Sequence, residues 1–420
     1  MERKRIAIIG SGVSGLTCAY LLNPHHDITL FEQNEKLGGH TNTELVEREG
    51  KLFPVNTGFI VFNDWTYPNF IKLMDKLGVR SEESDMSFSV KCEQSGLEYN
   101  GTNINKLFAQ RKNLVSPRFW RMIRDILRFN RETVAELEQG ALSNTETLTE
   151  YLARNHYSEV FIEKFIVPMG AAIWSSGRAA MEEFPIYFFV RFFKNHGMLS
   201  VDDRPVWRVI SGGSATYIEA MTRDFNNKIV VNEGAKSVSR SDEAVIVTTT
   251  QGNVRYFDEV IFACHSDQAL QLLEFPTQEE QQVLGAIGYQ DNDVVLHTDH
   301  TVLPKSRLAW ASWNYHIPKE HSERVAVTYN MNLLQNFKTR DTTFCVTLNK
   351  TEDIAPQKII KTFNYAHPVF NTAAVAAQQR FSDISGKNRS HYCGAYWFNG
   401  FHEDGVKSAL RVCDAYGVSL

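Results

Sequence analysis

The sequence predicts an α/β protein: a Rossmann-type domain that the chain leaves and re-enters, with an inserted α+β domain for the substrate. Three observations carry this. A strand, a glycine-rich turn and a helix fill residues 5–22, and a second strand follows at Ile28–Glu32. A largely helical pattern runs from about 70 to 200, and the strand period returns from Ile229 to Cys264. The opening unit is therefore interrupted rather than completed.

Each element has its own signal. Ile6-Ala-Ile-Ile9 is a short continuous apolar run, the mark of a parallel strand covered on both faces. Leu16, Ala19, Leu21 and Leu22 carry the helix, and Asn23-Pro24 ends it, because proline lacks an amide and clashes with the preceding turn. Pro68 and Pro117 suit first helical turns, and Ser116 suits an N-cap. Ile229-Val-Val, Ala244–Thr250 and Asp258–Ala263 read as strands, with Gly252-Asn253 as a hairpin turn. Asp293–His297, Arg324–Tyr329 and Thr343–Leu348 extend the strand pattern.

At roughly 150 residues per domain, 420 residues make two to three domains. The 27 Phe, 15 Tyr and 7 Trp are enough to build a large core and still line an apolar site. A net charge of -5 gives no general attraction to nucleic acid. Six scattered cysteines with no C-x-x-C pair suggest a reducing, cytoplasmic compartment and neither a zinc site nor a dithiol couple. The opening apolar run is too short for an export signal, and no charge-free stretch approaches the roughly 18 residues of a membrane span.

Gly10-Ser-Gly12-Val-Ser-Gly15 is a G-x-G-x-x-G between a strand and a helix. The first glycine permits the turn, the second lets backbone approach a pyrophosphate, and the third lets helix and strand pack closely. The helix N-terminus adds free N–H groups and partial positive charge. Glu32, at the end of the second strand, suits the hydroxyls of an adenosine ribose and disfavours the 2′-phosphate of NADP. Shortly after it, Gly38-Gly39-His40 lets the chain pass close to a second phosphate or a ribityl chain.

This extended pattern, the strands at 229–264 and the closing stretch from His391 to Val406 resemble the superfamily of flavin-containing amine oxidases, protoporphyrinogen oxidases and phytoene-type desaturases. Trp310–Tyr315, Tyr329–Asn332, His367–Phe370 and Gly400–Gly405 look closest to its bacterial branch of NAD/FAD-binding flavoproteins linked to fatty-acyl desaturation. The resemblance implies an FAD-binding domain from residues 1–75, 205–265 and 385–420. A helical insertion at 76–204 and a mixed β substrate domain at 266–384 complete the chain.

It also implies roles. Gly10, Gly12, Val13, Ser14 and Gly15 would hold the pyrophosphate, Glu32 the adenosine ribose, and Gly39 and His40 the phosphate and ribityl side. Asn56, Thr57 and Gly58 would pass beside the flavin ring, in a place where many relatives carry an aspartate. Ala235 would present backbone to the adenine. Gly405 and Val406, opening a final helix, would aim N–H groups at the flavin O2. Relatives carry an acid after the glycine matching Gly394, where it meets the ribityl chain; Ala395 stands here instead, with Glu403 or Asp404 as possible substitutes. The motif for covalent attachment is absent, so FAD is expected to be non-covalent, with Cys393 a buried small residue. There is no second G-x-G-x-x-G, so electrons are expected from the substrate rather than from NAD(P)H.

On the substrate side, Trp310, Trp313, Tyr315 and Tyr329 are implied pocket residues. His297, His367 and His402 are candidate proton acceptors, each with a structural hydrogen-bonding role as its alternative; His316 falls near the same phrases. No metal site is expected. Phe184–Phe193 either walls an apolar tunnel or is simply buried. A helix from Pro117 with Trp120, Ile123, Ile126 and Leu127 on one face and Arg121, Arg124, Arg128 and Arg131 on another either rests on anionic lipid at the inner membrane surface or is solvated. The lysine that amine oxidases place near the flavin has no clear match; Lys305 is the lysine nearest Trp310–Tyr315. The function expected is removal of hydride from a C–H bond of a hydrophobic substrate, with a fatty-acyl lipid as the candidate class. The alternatives are a flavin amine oxidase and a non-catalytic flavoprotein supporting a lipid-modifying partner.

Overall fold

The computed structural model describes residues 2–200, 202–319 and 324–420. Five parallel strands form one sheet in the order Ile229–Val230, Asp27–Phe31, Arg5–Ile9, Glu259–Phe262, Ser390–Tyr392. Three separated parts of the chain thus build one Rossmann-type sheet. Strand order reverses beside Arg5–Ile9, and the crevice at the carboxyl ends of such a switch point is where open α/β sheets bind ligands. The second strand stops at Phe31, so Glu32 lies just beyond its carboxyl end. The helix Val13–Leu22 is buried on almost every side, wedged between this sheet and the final helix His402–Asp414.

A second, seven-stranded sheet runs in the order Ile359–Pro368, Tyr289–His297, Cys345–Leu348, Ala326–Asn330, Trp313–Ile317, Phe88–Cys92, Glu98–Asn100. Here the expectation of a helical insertion at 76–204 is refined. That stretch supplies three strands, Ser81–Glu83, Phe88–Cys92 and Glu98–Asn100, and Phe88–Cys92 pairs in parallel with Trp313–Ile317. Five residues of alternation cannot outweigh helical surroundings by themselves; a hairpin partner at Glu98–Asn100 and a parallel partner more than two hundred residues away fix them as a strand. Conversely, Ala269, Val283 and Leu284, from the stretch assigned to the substrate side, pack into the core of the first sheet.

The second core is aromatic. Phe184, Phe188, Phe189, Phe192 and Phe193 are buried around Trp174, at ring-centroid distances of 4.4–6.4 Å. They fill space against one another, which answers the tunnel alternative with a packed helix, Ile186–Asn195. The helix Pro117–Glu138 also differs from expectation. Its inward stripe is Phe119, Met122, Asp125, Phe129 and Thr133, so Trp120 and Leu127 face outward among the arginines. A face drawn through Trp120 leaves out two phenylalanines that fit the same period. No helix among the described residues is long and apolar enough to cross a membrane.

Candidate functional site

A cavity of about 830 Å³ opens at the carboxyl ends of the parallel strands, against the edge of the seven-stranded sheet. That lies within the ~300–1,000 Å³ usual for ligand pockets. Gly10, Gly12, Val13, Ser14, Glu32, Gly39, His40, Ala235 and Gly394 line one side of it. Tyr289, Tyr365 and His367 line the other.

The glycine turn divides its labour as the spacing suggests. A Cβ on Gly15 would stand 2.0 Å from the Gly10 carbonyl oxygen, so Gly15 is a packing position behind the cleft. A Cβ on Gly12 meets nothing within 4 Å, because it would project into the opening. Gly12 caps the helix Val13–Leu22, whose first free N–H groups therefore face the cavity. Glu32 is tightly oriented: Ser11 N–H and Oγ–H donate to Oε2 at 3.1 and 2.6 Å, and Asn34 N–H and Nδ2–H donate to Oε1 at 2.9 and 3.0 Å. These four donors fix the carboxylate at the cavity wall.

Asn56, Thr57 and Gly58 lie behind the wall rather than in it. Asn56 Oδ1 accepts from Thr43 Oγ1 and the Ser214 N–H, Thr57 Oγ1 lies 3.1 Å from Tyr365 Oη, and a Cβ on Gly58 would stand 1.6 Å from the His40 carbonyl oxygen. Together they seat His40 and Tyr365. The final helix corrects one expectation. It begins at His402, and the Gly405 N–H already donates to the Phe401 carbonyl at 3.0 Å. The free N–H groups of that end belong to His402–Asp404, while Gly405 and Val406 are buried, with Gly405 against Val13 and Ser14. Glu403 accepts from the Asn69 and Phe70 N–H groups, and Asp404 from the Phe401 N–H, so neither acid replaces the one absent at Ala395. Cys393 lies 3.9 Å from Cys18, sulfur to sulfur, outside the cavity lining.

The three candidate histidines separate. His297 projects from the far face of the seven-stranded sheet, bonded to Thr347, because alternation along its strand turns it away from the face that carries Tyr365 and His367. His316 likewise bonds Thr328 on that far face. His402 lines the cavity, but its Nε2 lies 2.9 Å from both Thr41 Oγ1 and Tyr217 Oη. His367 also lines the cavity; Asn292 Nδ2–H donates to its Nδ1 at 3.0 Å, which leaves the Nε2–H tautomer and a donor rather than a base.

Beyond these, the cleft gathers residues the sequence did not single out: His265, Tyr289, Tyr365 and Tyr396. The His40 ring lies 5.1 Å from Tyr365, 5.3 Å from His367 and 5.7 Å from His265. Burial pushes His40 and His265 down to about 4, and His367 and His402 down to about 3, so all four imidazoles are neutral at pH 7. One signal could have found His265: it leaves the carboxyl end of the strand Glu259–Phe262 in the parallel sheet.

Trp313, Tyr315 and Tyr329 share one face of the seven-stranded sheet, with Trp313 edge-on to Tyr329 at 4.8 Å. The helix Val167–Trp174 lies against the strand Trp313–Ile317. Trp310 is not with them; its Nε1–H donates to the Pro304 carbonyl, and its ring lies beside His300 and Arg307.

A family model described as flavin containing amine oxidoreductase matches residues 13–347. An L-amino-acid oxidase of Bothrops jararacussu is 46% identical over 48 residues, 11% of this chain and 10% of that protein. A mitochondrial protoporphyrinogen oxidase of Nicotiana tabacum is 34% identical over 104 residues, 24% of this chain and 19% of that protein. The chain thus matches about a tenth of the length of the first of these relatives. Among solved structures, a CLA-producing fatty acid isomerase from P. acnes has a TM-score of 0.70 at 16% identity, covering 98% of both chains. A putrescine oxidase bound to putrescine has a TM-score of 0.68 at 14% identity, covering 99% of both.

Proposed function

The chain belongs to the flavin-containing amine oxidoreductase family, and from that premise we propose that it is an FAD-dependent oxidoreductase taking hydride from a C–H bond of a hydrophobic substrate, with a fatty-acyl chain as the candidate class. FAD is the cofactor, held without a covalent bond, and it supplies the hydride acceptor. The residues fit it. Open space in front of Gly12, free N–H groups at the helix start and the oriented Glu32 suit a dinucleotide, and the Tyr396 hydroxyl is buried at the cavity with no hydrogen-bond partner among the described residues. We assign 1–75, 205–265 and 385–420 to FAD, and 76–204 with 266–384 to the substrate apart from the helices Ser266–Leu272 and Gln278–Gly285, which pack on the first sheet.

The observation that supports an apolar substrate is the aromatic face of Trp313, Tyr315 and Tyr329. Ile162, Phe165, Met169 and Ile173, from the segment that runs into the helix packed on the strand Trp313–Ile317, are likewise only partly buried although they pack on the second core. Apolar walls exclude water from a reacting C–H bond and align a chain that has few polar handles. The chain's own groups then act simply: Tyr365 and the neutral His40, His265 and His367 surround the cleft, and His367 presents a proton at Nε2. Electrons leave to dioxygen, a quinone or a carrier protein, and the protein works in the cytoplasm.

Family membership keeps amine oxidation as the second reading. Anaerobic mixing of the yellow protein with separate pools of acyl lipids, amines and porphyrinogens, read at the flavin absorption band, distinguishes them. Bleaching by the lipid pool is expected; bleaching by amines alone overturns the lipid assignment. No bleaching by any pool, together with a co-purifying lipid-modifying enzyme, favours a supporting flavoprotein.

A further inference from the structure

The helix Pro117–Glu138 and the turns that precede it leave an unusual surface. Trp120 is 49% exposed, Leu127 53%, Leu114 48%, Val115 84% and Ile104 77%. Large apolar side chains cluster so rarely on a monomer surface that such a group marks an interaction site. These belong together: Trp120 Nε1–H donates to the Leu114 carbonyl, and the Trp120 ring lies 5.4 Å from Phe108, in the segment that links Ile104 to Leu114. Trp120, Arg124, Leu127 and Arg131 follow one another at spacings of four, three and four, one stripe of the helix, and all four are exposed.

Charge settles what this stripe would meet. Residues 104–131 contain eight basic side chains and one acid, Asp125, in a chain whose net charge is -5. Asp125 is buried and accepts from the Ser158 N–H, so it does not face outward. Arg128 bonds Glu132 and the Asn155 carbonyl, and Arg111 bonds the Asn105 and Phe108 carbonyls. Among the described residues Arg118 and Arg131 have only long ion pairs, at 3.8 Å with Glu159 and 3.9 Å with Glu132, which add little. The fold therefore presents a strongly cationic strip interleaved with exposed Trp, Leu, Val and Ile.

We infer that this face, from Ile104 to Arg131, docks on an anionic lipid bilayer. Arginines and lysines meet the lipid phosphates, and Trp120, Leu127, Leu114 and Val115 enter the headgroup boundary. Basic side chains around exposed apolar anchors are the pattern of interfacial helices, and aromatic rings such as Trp120 are favoured at headgroup depth. A protein partner would reward the apolar residues but not such a charge excess, and nucleic acid would reward the charge but not exposed Leu and Val. The inference stands on its own observations and not on the substrate assignment.

The test uses the full chain loaded with FAD and two kinds of vesicle, phosphatidylcholine alone and phosphatidylcholine mixed with phosphatidylglycerol. Co-sedimentation with the mixed vesicles only is expected, released by salt, with a blue shift of Trp fluorescence that Trp120→Phe removes. The double variant Arg124→Gln with Arg131→Gln changes exposed side chains and keeps helix formers; it is expected to bind roughly tenfold to thirtyfold more weakly at unchanged unfolding midpoint and flavin content. Failure to sediment with either vesicle, equal binding by the double variant, or tighter binding to an oligonucleotide than to mixed vesicles overturns the inference.

Discussion

The His402 imidazole lies flat on the Phe59 ring, with centroids 3.5 Å apart and planes 9° from parallel. Its Nε2 reaches Thr41 and Tyr217, so one side chain at the start of the final helix ties down the loop that follows the double glycine. His402→Ala is expected to cost about 1–3 kcal/mol of stability and to weaken flavin retention. Urea unfolding of the flavin-free protein and flavin titration of the refolded protein measure the two effects separately; an unchanged urea midpoint removes the clamp role.

Burial around this site also predicts acid sensitivity. His40, His265, His367 and His402 fall from an ordinary value of 6.5 to about 3–4 in the folded protein. Between those limits the unfolded chain binds more protons, so their contribution is fully present above about pH 6.5 and is lost as pH falls toward 3–4. Each accounts for up to about 1.4 kcal/mol per pH unit in that window. Burial raises Asp404 from 3.8 to about 7 and also raises Glu403 beside it, which acts with the opposite sign against four imidazoles. Urea midpoints should therefore drop steadily from pH 7 to pH 5; a flat profile contradicts neutral buried imidazoles.

Gly12 and Gly15, three residues apart, should fail differently. Gly15→Ala places a methyl group 2.0 Å from the Gly10 carbonyl and should prevent the strand and helix from closing, with loss of soluble folded protein. Gly12→Ala meets open space, at φ -62 and ψ 174 that alanine accepts, and should cost about 1 kcal/mol or less in fold stability. It should nevertheless lower FAD affinity at least about tenfold, since the methyl group projects into the cleft. Circular dichroism and the flavin-to-protein absorbance ratio separate the two outcomes.

Glu32→Gln removes the charge that Ser11 and Asn34 orient, and turns an amide donor toward donors. FAD affinity is expected to fall about tenfold to a hundredfold. Fluorescence titration of the flavin-free protein checks it, and unaltered affinity would remove Glu32 from the ribose site.

For the apolar-substrate assignment, Trp313→Ala opens the wall beside Tyr329 without touching the glycine turn. Lipid-driven bleaching should slow about tenfold or more while the flavin spectrum stays unchanged. Equal rates for variant and parent place the substrate elsewhere.

What the sequence determined by itself is the nucleotide half. A strand, a spaced glycine turn, a helix and an acid lie within 32 residues, and backbone sterics and helix electrostatics act over that local range. The interruption of the sheet was also legible, because the strand period visibly stops and resumes. The tertiary structure decided the rest. Phe88–Cys92 joined the large sheet through Trp313–Ile317, and His297 left the cleft through the alternation of a strand whose faces only the sheet assigns. Trp120 turned outward because Phe119 and Phe129 took the buried stripe, and His40, His265, Tyr365 and His367 met only where two sheets face each other. Side-chain direction and long-range pairing are set by which surface is buried against which, and that is a property of the assembled chain rather than of any segment.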